Sequence, residues 1–155
     1  MKSIYLFIWL LAIPFLSDAQ TDAQRAKNFN INSKGVAIEG YDPVAYMANQ
    51  KAVKGDEAIT YIYKGVKYAF ANSANREKFK ANPATYEPMY GGWCAYAMGN
   101  TGEKVEVDPE TFKIINGRVY LFYNFYFNNT LKSWNKNEGP LKQKADSNWQ
   151  KFISK

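Results

Sequence analysis

Ile59-Thr60-Tyr61-Ile62-Tyr63-Lys64-Gly65-Val66-Lys67-Tyr68-Ala69-Phe70 decides the fold class. Two β-rich runs flank a Lys-Gly dipeptide. A two-residue loop there pairs Tyr63 with Val66, Tyr61 with Tyr68 and Ile59 with Phe70. Each pair is apolar or aromatic, so one face of this hairpin is buried. A second hairpin turns at Asn116-Gly117, a preferred type I′ dipeptide. It pairs Ile114 with Val119 and Phe112 with Leu121, and places Lys113 and Arg118 on the opposite face. Between the hairpins, Asn72 to Lys80 reads as a helix capped by Asn72 or Ser73 and ended by Pro83. Asn128 or Asn129 caps a short helix through Trp134. Gly139-Pro140 opens a last helix whose stripe is Leu141, Ala145, Trp149 and Phe152. Ahead of the first hairpin, Asp42 suits an N-cap and Pro43 the first position of a short helix. The fold class is therefore α+β: two antiparallel hairpins, 59–70 and 112–123, joined into one sheet or stacked side by side with helices packed on the apolar face. Ile59, Tyr61, Phe70, Phe79, Phe112, Ile114, Leu121 and Trp149 are the expected core. No internal repeat is visible along the chain.

Outside this segment the chain divides simply. Its 155 residues suit one compact domain, and an aromatic content of 17% argues for a packed core. Lys2 and the apolar run Ile4–Leu16, followed by Ser17-Asp18-Ala19, read as a secretory signal peptide over 1–19. That run is too short to span a bilayer, so no stable membrane insertion is expected after cleavage, and the expected location is periplasmic or secreted. Residues 20–34 are polar and aperiodic and read as a flexible N-terminal arm, loose or forming a short frayed helix, and deletion of 20–30 is expected to leave the melting temperature nearly unchanged. The domain proper is expected over 35–155, as a monomer. Lys+Arg number 20 against 14 Asp+Glu, a net charge of +6. That charge would suit an anionic partner such as a membrane surface or acidic polymer, but the lysines are spread rather than clustered and read mostly as a solvated surface, and export argues against nucleic acid as the partner. With no histidine and one cysteine, histidine bases, imidazole metal ligands and intrachain disulfides are excluded.

From Tyr41 onward the chain resembles the YHS-domain family. The resemblance rests on Tyr63-Lys64-Gly65-Val66-Lys67-Tyr68-Ala69-Phe70, on Asn75-Arg76-Glu77-Lys78-Phe79, and on Asn82-Pro83-Ala84-Thr85-Tyr86. Gly40 through Tyr46, Tyr90-Gly91-Gly92-Trp93-Cys94-Ala95 and Ala145-Asp146 with Trp149 are similar to the exported, single-domain branch of that family. Related domains are thought to bind heavy metal through cysteines. The positions that the resemblance assigns to those cysteines read Ala45, Ala71 and Asn75 here, which supply no thiolate.

The remaining candidates are few. Tyr41, Asp42, Tyr46, Tyr90, Trp93, Cys94 and Tyr96 cluster around the two motifs of the branch and could line a ligand pocket or simply form core. Cys94, Met98 and Met89 together would suit Cu(I), so copper is the one cofactor to consider, and tight zinc binding is not expected. No nucleophile–base pair is readable, and the expected class is a non-catalytic binding domain for a small ligand or soft metal. The alternatives are a thiol-redox or Cu(I)-handling protein centred on Cys94, and a structural module for a protein partner.

Overall fold

The computed structural model describes residues 21–154, and the expected signal segment lies outside them. Helix α1 (Asp22–Asn28) is followed by a 3-10 turn at Ile38–Gly40 and by α2 (Ala45–Ala48). The first hairpin joins β1 (Asp56–Tyr63) to β2 (Val66–Phe70). Helices α3 (Ser73–Ala81) and α4 (Pro83–Tyr86), a second 3-10 turn at Met89–Gly92 and α5 (Ala95–Asn100) come next. The second hairpin joins β3 (Asp108–Ile115) to β4 (Arg118–Phe122). A small ribbon, β5 (Asn124–Phe125) with β6 (Asn128–Asn129), leads into α6 (Thr130–Lys136) and α7 (Glu138–Ile153). Each pair of strands is a separate two-stranded antiparallel sheet, so the architecture is α+β and the hairpins are not merged.

The turns dictate the register. Lys64-Gly65 and Asn116-Gly117 all have positive φ, as a two-residue hairpin loop of this hand requires. Tyr63 pairs with Val66, Tyr61 with Tyr68, Ile114 with Val119 and Phe112 with Leu121. Phe70 pairs with Asp56 rather than with Ile59, because a bulge between Asp56 and Thr60 takes up the extra residues. Phe70, Phe79 and Leu121 are fully buried, whereas Ile59, Tyr61, Phe112, Ile114 and Trp149 are half-buried. Strand β4 is buried on both faces: Val119 and Leu121 join one core cluster, Tyr120 and Phe122 the other. That shared strand makes the two clusters one domain.

The two hairpins are copies of one unit. β1 and β2 recur 52 residues later as β3 and β4, with equal lengths, equal loops and the same bulge. The left-handed residues match too: Ile38, Glu39 and Gly40 correspond to Tyr90, Gly91 and Gly92, and Gln50 to Gly102. So do the backbone hydrogen bonds. Tyr41 donates to the Ile38 carbonyl as Trp93 does to that of Tyr90, and Asp42 donates to Val53 as Cys94 does to Val105. Each hairpin feeds a helix capped by an asparagine side chain, Asn72 or Asn129. Each such helix drives one large ring onto its hairpin: Phe79 onto Tyr68 and Phe70, Trp134 onto Tyr120 and Phe122. Asn82 and Asn137 each end that helix and open the next. The chain is thus a tandem repeat, contrary to the sequence expectation. The second unit also carries an insertion. The first passes from Phe70 to its cap Asn72 directly, whereas the second places the β5–β6 ribbon between Phe122 and Asn129.

The 21–34 segment contains the short helix α1, and Arg25, Ala26 and residues 28–32 pack against the domain rather than lying loose. Thr21 and Gln24 form a capping box for α1. Phe29 is buried in the first cluster, and buried Asn30 donates to the carbonyls of Gly91 and Gly92. Arg25 makes a two-pronged bond to the buried Glu87 at 2.8 and 2.7 Å. A Cβ on Gly65 would strike the backbone of Asp22, so α1 sits directly on the first hairpin turn.

Candidate functional site

The aromatic residues expected to line a pocket are mostly struts. Tyr46 is fully buried, donates to the Pro109 carbonyl at 2.9 Å and packs edge-on against Phe112. Tyr41 donates to Glu110 and lies under the Lys54 ammonium. The Trp93 indole donates to the Asn28 carbonyl at 2.7 Å, and the Tyr90 hydroxyl donates to Asp146 at 2.8 Å. Burial raises the phenol pKa of both Tyr46 and Tyr90 well above the ordinary tyrosine value, and Asp146 raises that of Tyr90 further. Neither is poised to lose a proton. The structure does not gather the seven expected residues into one pocket. Tyr90 lines one cavity, Cys94 and Tyr96 line another, and Tyr41, Asp42, Tyr46 and Trp93 line none of the three described.

Asp42 is the most heavily bonded of them. Its fully buried carboxylate accepts the Val44 and Ala45 N–H groups through Oδ1, but the residue at the N-cap of α2 is Val44, so Asp42 and Pro43 lie in the turn before the helix rather than at its expected N-cap and first position. Oδ2 accepts the Ala71 N–H at 2.9 Å and the Asn75 amide at 2.7 Å. Ala45, Ala71 and Asn75 are the three positions that the resemblance assigns to metal-binding cysteines. They do converge, but on a carboxylate whose two oxygens are already engaged by four protein N–H donors. No thiolate or imidazole is present there, so these residues do not fit a soft metal.

Cys94 holds the same place in the second unit. Its fully buried sulfur accepts the Tyr123 N–H at 3.4 Å and lies 3.4 Å from the Thr130 hydroxyl. It borders a cavity of about 230 Å³ with Tyr96, Tyr123 and Thr130. Met98 is fully buried in the second core cluster and Met89 packs against that cluster, whereas Cys94 belongs to the first. Among the described residues no group of three or more Cys, Asp or Glu could hold a metal ion.

A cleft that sequence reading missed lies between α1, the turn at Met89–Gly92, β4 and α7. It holds about 260 Å³ and is walled by Phe29, Met89, Tyr90 and Trp149, with Arg25, Glu87 and Arg118 at its polar end. Gly91 shapes it, because a Cβ there would meet the Trp149 ring at 2.8 Å and Phe29 Cα at 3.2 Å. Arg25 is neutralised by Glu87, which also accepts the Tyr68 hydroxyl at 2.6 Å. Arg118 donates only weakly to the Glu87 carbonyl, at 3.4 Å, and its buried Nε has no hydrogen-bond partner. The cleft therefore combines apolar rings with a guanidinium that forms no ion pair among the described residues. The matched position in the first unit is Val66, fully buried in the core. The sequence places Arg118 on the outer face of a hairpin; its 52-residue spacing from Val66 is the signal that marks it.

A scan against protein-family models, a search of curated proteins and a search of solved structures each found no match. Among the described residues no helix is long and apolar enough to cross a membrane.

Proposed function

We propose that the protein is an exported, non-catalytic binding domain of YHS type that takes a small organic anion in the cleft at Arg118. The observation that carries this reading is the buried, unpartnered Nε of Arg118 at a position where the sister unit keeps a valine. A buried donor without an acceptor costs roughly 1–3 kcal/mol, and an anion supplies the acceptor. A carboxylate or phosphate group meets the guanidinium, and an apolar body lies among Phe29, Tyr90 and Trp149. The resemblance supports the class of domain. The buried sulfur of Cys94, bonded to Tyr123 and facing Thr130, favours this reading over a thiol-redox or copper function.

Phenylacetate and its neutral amide, phenylacetamide, test the cleft by calorimetry. Phenylacetate is expected to bind the wild type at least about tenfold more tightly than the amide, and Arg118→Met to erase the difference. Equal binding of acid and amide by the wild type, or phenylacetate affinity retained by Arg118→Met, overturns the reading. Native mass spectrometry of protein taken from an exporting cell identifies any retained ligand.

A further inference from the structure

The insertion in the second unit ends in three exposed rings. Phe125 is 42% exposed, Tyr126 91% and Phe127 fully exposed at 110%. Tyr126 and Phe127 are the two turn residues between Phe125 and its partner Asn128, with φ of 52° and 64°. Bulky side chains disfavour this left-handed backbone, and Asn-Gly is the ordinary choice for such a turn. Here two aromatics adopt it and only Phe125 makes a described ring contact, edge-on with Tyr123 at 5.1 Å. The fold does not require the ribbon, since the first unit reaches its helix cap without one. Backbone strain, solvated rings and a dispensable insertion coincide at one convex tip.

We propose that this Phe125-Tyr126-Phe127 tip inserts into the interfacial layer of an anionic lipid bilayer. A convex apex of rings can enter a fluid surface without a shaped receptor, and aromatic rings settle at the headgroup boundary. The flanks, Asn124, Asn128 and Asn129, are polar but uncharged and suit that depth. Residues 111–137 contain Lys113, Arg118, Lys132 and Lys136 and no carboxylate. Lys113 is paired with Glu138, but Lys132 and Lys136, on the helix that follows the tip, are exposed and form no ion pair among the described residues. With the net charge of +6, they favour an anionic surface over a neutral one. Two acids lie in that neighbourhood: Glu103, which shares a cavity wall with Asn128, and Asp108, whose Oδ2 accepts from the Asn124 amide at 3.4 Å.

Flotation with vesicles tests the proposal, using the chain from Gln20, which carries every described element and both core clusters. The vesicles are phosphatidylcholine alone and phosphatidylcholine mixed with phosphatidylserine. Two variants are compared with the wild type: Phe125→Ser/Phe127→Ser, and Tyr126→Asn/Phe127→Gly. The wild type is expected to float with the anionic vesicles, less so as salt rises, and both variants to partition about tenfold less or worse. The Asn-Gly variant is expected to melt a few degrees higher while losing the membrane, a combination that a merely structural turn would not give. Absence of wild-type flotation, or equal flotation of the variants, overturns the proposal. So does a wild-type dimer that both variants dissociate without any vesicle binding, which would make a second copy the occupant.

Discussion

Asp42→Ala is expected to lower the melting temperature by roughly 10 °C or more, for a loss of about 4 kcal/mol. The change strands the N–H groups of Val44, Ala45 and Ala71 and the Asn75 amide, all of which now converge on one buried carboxylate. Water cannot replace it readily at a fully buried position. Cys94→Ala is the informative comparison, because it removes the matched side chain of the second unit. There the losses are one N–H···S contact and one sulfur–hydroxyl contact, both at 3.4 Å, and a small volume. The expected cost is only about 1–2 kcal/mol. Thermal denaturation of the two variants beside the wild type checks the pair. An Asp42→Ala variant that melts within about 3 °C of wild type would sink the account of this carboxylate.

Arg25→Met should be nearly as damaging, at about 3–5 kcal/mol, although it lies in a segment that reads as a loose arm. The methionine leaves the buried Glu87 carboxylate with the Tyr68 hydroxyl as its described side-chain donor. It also removes the guanidinium stacked 4.3 Å over Phe29 and bonded to the Tyr63 and Lys64 carbonyls. The double variant Arg25→Met/Glu87→Gln should recover more than half of that loss, since a neutral amide still accepts from Tyr68 without leaving a buried charge. Urea denaturation of the single and double variants measures the coupling. If the double variant is less stable than Arg25→Met alone, the ion pair is not what holds α1 in place.

The hairpins were legible because their turns are chemically explicit. Lys64-Gly65 and Asn116-Gly117 admit few geometries, and the pairs next to them follow. The last helix was legible from the spacing of Leu141 and Ala145, both buried, with Trp149 and Phe152 half-buried beside them. Three features were not. The bulge that moves Phe70 opposite Asp56 leaves no mark in an alternating pattern. The docking of α1 rests on the Phe29 ring, the Arg25–Glu87 ion pair across 62 residues, and bonds that tie Arg25, Asn28 and Asn30 to distant segments, none of which a periodicity reports. The repeat leaves only a short trace, Gly-x-x-Tyr-x-Phe at Gly65–Phe70 and again at Gly117–Phe122; elsewhere its units agree in backbone angles and hydrogen bonds while residues differ, as in Asp42 against Cys94, Val66 against Arg118 and Ile38 against Tyr90. The expected aromatic pocket failed for a related reason. Sequence proximity cannot tell whether a hydroxyl such as that of Tyr46 already has a carbonyl to bond. The cleft at Arg118 stayed hidden because its walls come from chain segments that only the fold brings together.

Duplication makes the molecule its own internal control. Gly65 and Gly117 occupy the same left-handed turn position, with φ of 79° and 70°. A methyl group at Gly117 meets open space, whereas one at Gly65 meets α1. Alanine at either site carries the same intrinsic backbone penalty, so subtracting one cost from the other cancels that penalty and isolates the collision with α1. A local environment is thus measured against a twin in the same molecule and under the same solvent.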